Sequence, residues 1–194
     1  RLDSGGIACV YPVDSGVPLT RHRAELKVHG GHVRAKVALQ RALLGEGGVQ
    51  PSAPLFVFIG RIAYQKGVHL LLDCFPALFQ ACAGRVQLLV CGLADASDAY
   101  ARRCAEQMLQ LRASYPNHFW AAPHVYFDQG PLASIAADFG LMPSLYEPSG
   151  LVREEFFAAG TPLVCSVAGA LRDRVDTYDE ARRTGTGVCY EVHT

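Results

Sequence analysis

No apolar run in this 194-residue chain approaches the roughly 18 residues that a membrane-spanning helix needs. Its first residues also lack the apolar stretch of a secretory leader. An excess of either charge is missing too: 18 Lys plus Arg balance 18 Asp plus Glu, so nothing electrostatic recommends a nucleic-acid backbone or an anionic membrane as partner. Any anion site must therefore be local. Paired cysteine spacing is absent. Cys9, Cys74, Cys82, Cys91, Cys104, Cys165 and Cys189 are scattered, odd in number and without a CxxC pair or a His at ligand spacing. They read as reduced, buried thiols; no metal is assigned, and an intracellular protein is expected. The chain starts at Arg1 rather than Met, and it is expected to be a piece of a longer protein.

What the chain does have is apolar material. With 50% hydrophobic and 19% charged residues, it can bury a core of the size of one large domain. Leu55 to Ile59 is a continuous apolar run suited to a strand covered on both faces, and Gly60 ends it. From Lys66 onward, Val68, Leu71, Leu72, Phe75, Leu78, Phe79 and Cys82 recur at helical spacing, with Pro76 expected to kink or shorten the helix. Val86 to Cys91 predicts the next strand. Ser97 is a candidate cap for a helix whose inner stripe is Tyr100, Cys104, Met108 and Leu111.

Further on, Phe119 to Ala121, Phe139 to Met142 and Pro162 to Val167 predict strands, and Leu132 to Ala137 and Leu151 to Ala159 predict helices. Val188 to Val192 is a possible sixth strand. Strands alternating with helices imply an α/β fold, a doubly wound parallel sheet of Rossmann-like type. Residues 55–194 are assigned to it. Residues 1–54 form an N-terminal extension with a turn at Asp14 to Pro18, one amphipathic helix at Val33 to Leu44 and a linker from Gly45 to Pro54.

In such sheets ligands bind beyond the carboxyl ends of the strands, which singles out two loops. Gly60-Arg61-Ile62-Ala63-Tyr64-Gln65-Lys66-Gly67 sets a guanidinium fork and a point charge on either side of a turn, a pair suited to a diphosphate. Solvated loop charges paired with nearby carboxylates are the plainer alternative. Pro143-Ser144-Leu145-Tyr146-Glu147-Pro148-Ser149-Gly150-Leu151 follows a strand and opens a helix. Gly150 permits close backbone approach there, and the N–H groups around Gly150, Leu151 and Val152 can receive an anion. A carboxylate at Glu147, at the mouth of this crevice, would repel phosphate, so sugar hydroxyls are its expected partners. Glu155, eight residues on, is either a ligand contact or a solvated acid beside Glu154, and Tyr64 and Gln65 stay equally open.

Taken together, Gly60-Arg61, Gln65-Lys66-Gly67, Asp138 to Ser144 and Glu147-Pro148-Ser149-Gly150-Leu151 resemble the starch and glycogen synthase family of retaining, two-lobed (GT-B) glycosyltransferases. Gly169 to Asp173 is similar to that family's next loop. The resemblance covers roughly residues 33 to 190. It implies the C-terminal, donor-binding lobe of an enzyme that extends an α-1,4-glucan from ADP-glucose or UDP-glucose, needing no cofactor beyond that substrate. By the same resemblance Arg61, Lys66 and Glu147 are the catalytic set: the two cations hold the diphosphate and Glu147 orients the glucose. Gly60, Ser149, Gly150, Leu151, Glu155 and Phe127 are the donor-binding positions, Phe127 lying where an aromatic would stack on the base. Ser149 stands where the family usually has Cys, and Ala170 where it has a second Gly.

The expected partners are a nucleotide sugar, an α-glucan and the N-terminal catalytic lobe, in plastid or cytoplasm. A sucrose-synthesising relative and a non-catalytic nucleotide-sugar or glucan-binding module are the competing readings.

Overall fold

The computed structural model describes residues 30–192. The predicted turn at Asp14 to Pro18 and Cys9 lie outside them. Eleven elements are used below: α1 (His32–Leu44), β1 (Leu55–Ile59), α2 (Val68–Ala81), β2 (Gln87–Cys91), α3 (Ala99–Ser114), β3 (Phe119–Ala121), α4 (Gly130–Ala136), β4 (Phe139–Met142), α5 (Leu151–Ala158), β5 (Leu163–Ser166) and β6 (Gly187–Tyr190). The strands form one sheet in the order β3-β2-β1-β4-β5-β6, every pair parallel. The order reverses between β1 and β4, where Val57 lies opposite Gly140. This is the doubly wound α/β sheet that the alternation of elements predicts.

Both faces are covered, and the twofold alternation along each strand decides which side chain goes where. Leu55, Val57, Leu89, Cys91, Met142, Leu163 and Cys165 join Ala35, Leu39, Ile135, Ala136 and Phe156 on the side of α1, α4 and α5. Phe58, Leu88, Val90, Phe119 and Leu141 join Leu72, Phe75, Ala101, Cys104 and Met108 on the side of α2 and α3. Gly140 leaves no room for a side chain, because the Phe156 ring and Leu163 occupy the place of its Cβ.

Three local expectations change. Pro76 does not interrupt α2, which runs unbroken to Ala81. The lost N–H costs a helical bond, and the burial of Leu71, Leu72 and Phe75 on the sheet keeps the turns on either side in place. The cap of α3 is Asp98, not Ser97: Asp98 Oδ1 accepts from Tyr100 N at 2.8 Å and Ala101 N at 3.4 Å. Ser97 is taken instead by Asp95 Oδ1, to which its N–H and hydroxyl donate at 2.8 and 2.7 Å. Among the described cysteines, all free, Cys91, Cys104 and Cys165 are buried, whereas Cys82 and Cys189 are half-buried and Cys74 is exposed.

The stretch from Gly45 to Pro54 is no slack linker. A 3₁₀ turn forms at Glu46–Gly48, Gln40 Nε2 donates to Gln50 O at 2.9 Å, and the buried Lys36 Nζ donates to Ala53 O at 2.6 Å and Pro51 O at 2.9 Å. The same ammonium pairs with Asp138 Oδ2 at 2.5 Å, which also accepts Leu55 N at 2.8 Å, while His32 Nε2 lies 3.1 Å from Asp138 Oδ1. One carboxylate thus ties α1 to the amino ends of β1 and β4. Burial would push the Asp138 carboxyl up, but hydrogen bonds from His32, Lys36 and the Leu55 N–H, together with the Lys36 charge, hold it well below the usual carboxylate range. No helix among the described residues is long and apolar enough to cross a membrane.

Removing one partner of a buried ion pair strands the other, at a cost of about 3–5 kcal/mol. Asp138→Asn should therefore lower the urea-unfolding free energy by about that amount, and a loss within error of zero would show that Asp138 is not a hub. Because its folded-state pKa lies below the unfolded value of about 3.9, Asp138 contributes its full stabilisation above that pH. The contribution is withdrawn as pH falls below it toward the folded value. Wild-type stability should drop steeply between about pH 4 and pH 2, with the Asn variant showing a shallower fall.

Candidate active site at the switch point

The loops after β1 and β4 leave the sheet side by side, where the strand order reverses. They are locked into one body by the main chain. Gln65 O accepts Leu145 N at 2.9 Å and Tyr146 N at 3.3 Å, so Gln65 acts here through its backbone. Gly67, at φ 64°, packs so closely on the Pro143 carbonyl that any Cβ would overlap it. Its αL conformation closes the 3₁₀ turn Tyr64–Lys66 and starts α2.

Glu147 sits at the centre of this body, not at an open mouth: its side chain is 4% exposed and that of Lys66 is 17% exposed. Lys66 Nζ donates to Glu147 Oε2 at 2.5 Å, Ser144 Oγ donates to the same oxygen at 3.0 Å, and Gly150 N donates to Oε1 at 3.2 Å. The main chain of Glu147 is held as well. Its carbonyl accepts Ala170 N at 2.9 Å, and Gly169, at φ 52°, lies against it where a Cβ would collide. Ser166, the last residue of β5, donates its hydroxyl to Ser144 O. Loops after β1, β4 and β5 therefore converge on Glu147, the first two on its carboxylate and the third on its main chain.

The expected anion cradle at the start of α5 is thus partly filled from within. The Gly150 N–H is taken by Glu147, whose charge suits the positive end of the helix. Leu151 and Val152, at the first helical positions, keep N–H groups with no intrahelical acceptor.

The remaining sequence-predicted residues are placed as follows. Arg61, one residue beyond Gly60 at the end of β1, is exposed and makes no hydrogen bond or ion pair with a described residue. Ser149 and Leu151 are exposed, and Glu155 is half-buried on α5. Phe127 is half-buried, its ring tilted on Trp120 with centroids 5.7 Å apart and packed against the core. The exposed ring in that loop is Tyr126, at 77%. Tyr64 is 60% exposed and backed by a parallel stack on His69 at 5.7 Å, with Tyr100 edge-on at 5.5 Å.

Ser144 and Ser166 were missed as site residues. Ser144 lies in the quoted loop, but nothing in its spacing distinguishes it, and Ser166 reaches the site only through the pairing of β4 with β5. A cleft of about 400 Å³ adjoins them, with Arg172 and Glu191 on its walls.

Chemically, the arrangement offers an exposed guanidinium, a lysine shared with a carboxylate, and helix-start N–H groups for an anion. It offers a fixed, ionisable acceptor for hydroxyl groups beside them. Among the described residues, no group of three or more His, Cys, Asp or Glu could hold a metal ion.

Comparison with known proteins bears on the family and the fold. The chain is 34% identical over 160 residues to a glycogen synthase of Myxococcus xanthus, covering 81% of this chain and 30% of that protein. It is 37% identical over 143 residues to one of Aeromonas hydrophila, covering 73% and 27%. It thus spans under a third of the length of these relatives. Among solved structures, the catalytic domain of starch synthase IV from Arabidopsis thaliana bound to ADP and acarbose superposes with a TM-score of 0.63 at 18% identity, covering 95% of this chain and 36% of that one. The C-terminal domain of a group 1 family glycosyl transferase from Francisella tularensis gives 0.57 at 18%, covering 73% and 69%. At these identities the two structures attest the fold, while the family model "Glycosyl transferases group 1" matches residues 43–193 directly. With that match, the chain belongs to the group 1 glycosyl transferases and is similar in sequence to glycogen synthases.

Proposed function

We propose that this chain is the donor-binding lobe of a starch- or glycogen-synthase-like glucosyltransferase, moving glucose from ADP-glucose or UDP-glucose to an α-1,4-glucan. The observation that carries the reading is the pairing of half-buried Lys66 with buried Glu147 at the β1/β4 switch point, with Arg61 exposed one loop-turn away. Arg61 and Lys66 take the diphosphate. As the glycosidic bond breaks, charge builds on the departing nucleotide, and fixed cations stabilise that state more than the ground state. Glu147 accepts hydrogen bonds from the glucose hydroxyls, and the Leu151 and Val152 N–H groups complete the phosphate cradle. Glu155 contacts the donor from α5. No cofactor takes part in this scheme.

The surface supports a second lobe as the missing partner. Tyr64, Leu93, Val125, Tyr126 and Tyr146 are exposed large apolar residues in the loops at the carboxyl ends of β1 to β4, and exposed Leu151 opens α5 beside them. Such a concentration at one edge marks a face that is covered in the functional protein. A lobe closing there would exclude water and bring the acceptor.

Glucose transfer by the full-length protein, measured with each nucleotide sugar and with or without glycogen, tests the reading. Transfer to glycogen supports it; transfer to fructose 6-phosphate alone would indicate the sucrose-synthesising type, and binding without transfer a non-catalytic module. Glu147→Gln should lower turnover at least about 100-fold while changing nucleotide affinity far less. Equal losses in both, by titration with nucleotide and nucleotide sugar, would argue for a structural role. The 194-residue chain alone should bind nucleotide weakly and elongate glucan negligibly, because half a cleft leaves the acceptor unpositioned. Elongation at the rate of the full-length protein would overturn that expectation.

A further inference from the structure

We infer that Ser144 is a positioning residue that holds the Glu147 carboxylate when Lys66 leaves it for a phosphate. Ser166 acts behind it by fixing the Ser144 main chain. For its ligand, the inference rests on the donor-lobe reading above.

Lys66 and Ser144 donate to one oxygen, Glu147 Oε2, at 2.5 and 3.0 Å. The other oxygen has the Gly150 N–H at 3.2 Å. Without a donor, Lys66 is therefore neutralised by Glu147 and is not a free cation. A diphosphate competes for the same ammonium. If Lys66 turned to the phosphate and nothing else held Oε2, a buried carboxylate would lose its counter-charge and one of its few hydrogen bonds, a costly outcome in a desolvated site.

Ser144 prevents this. Its side chain is buried, and its hydroxyl can stay on Oε2 whichever way Lys66 points. A neutral donor does this better than a second cation would, since a cation there would form its own pair with Glu147 and repel Lys66. The geometry depends on the Ser144 backbone staying still. Ser166, itself buried, pins it by donating to Ser144 O from the end of β5. Leu145 N on Gln65 O restrains the next residue from the β1 side. The carboxylate is thereby kept oriented for sugar hydroxyls throughout the exchange of Lys66.

The test is a pair of double-mutant cycles in the full-length chain. In the first, ADP and UDP are titrated calorimetrically into wild type, Ser144→Ala, Glu147→Gln and the double variant. Ser144→Ala should weaken diphosphate binding about fivefold or more, because Lys66 becomes harder to detach. In the Glu147→Gln background, where no buried charge is left behind, the same change should alter affinity by less than about twofold. An equal loss in both backgrounds, or no loss in the first, would overturn the assignment.

The second cycle needs no ligand and combines Ser144→Ala with Lys66→Met in thermal unfolding. Since either group can serve Oε2, the double variant should lose more Tm than the two single losses summed; strictly additive losses would refute the shared role. Should neither diphosphate bind wild type, the donor-lobe reading fails, and this second cycle still decides the role of Ser144.

Discussion

Two carboxylates, half-buried Asp138 and buried Glu147, bracket β4, and between them they hold the point where the sheet reverses. Asp138 precedes the strand and binds Lys36 and the Leu55 N–H, fixing the amino ends of β4 and β1 together. Glu147 follows it and binds Lys66 from the loop after β1, fixing the carboxyl ends. Neither pair is a reason for high stability, because desolvating two charges takes back much of what their attraction returns. What they supply is alignment. An apolar contact can slide by an ångström at little cost, whereas an ammonium held at 2.5 Å by a carboxylate cannot.

The two carboxylates nonetheless differ in kind. Asp138 has its charge met from His32, Lys36 and the Leu55 N–H, on α1 and at the start of β1. The Glu147 carboxylate collects partners from two loops, Lys66 after β1 and Ser144 and the Gly150 N–H after β4. Asp138 lies at the amino end of β4, away from the loops at the carboxyl ends of the strands. Glu147 stands among those loops, and under the donor-lobe proposal its lysine is the group that changes partners.

Much of this was legible in the sequence. The short continuous apolar runs at Leu55 and Val86 alternate with the helical stripe from Val68, the order of elements that a covered parallel sheet requires, so the fold class was legible in the pattern. The two loops carrying Arg61, Lys66 and Glu147 could be singled out because ligands bind at the carboxyl ends of such strands. Pairings between distant positions were not legible. That Lys66 would be spent on Glu147, that Phe127 would turn onto Trp120 and leave Tyr126 outside, and that Ser166 would reach Ser144 depend on register and rotamer, which local spacing does not encode. The Asp98 cap was missed for a smaller reason: two acceptors stand side by side, and Asp95 claims Ser97 before it can cap α3.

The internal saturation of the site also bears on why the carboxyl edge carries so many exposed rings. With Glu147 already paired to Lys66 and the Gly150 N–H already taken, the free lobe presents less charge to solvent than its sequence suggests. Arg61 is exposed. Tyr64, Tyr126 and Tyr146, in the loops after β1, β3 and β4, are exposed as well, each with an apolar body and a polar tip, a surface that gains from being covered yet tolerates water while open. Closing a lobe over that edge would lower the local dielectric and strengthen every charge interaction within it, including the competition between phosphate and Glu147 for one lysine. Under the donor-lobe proposal, the transfer of Lys66 from carboxylate to diphosphate would be favoured most with both the donor and the covering surface in place, so that binding and closure would reinforce each other through a single ammonium group.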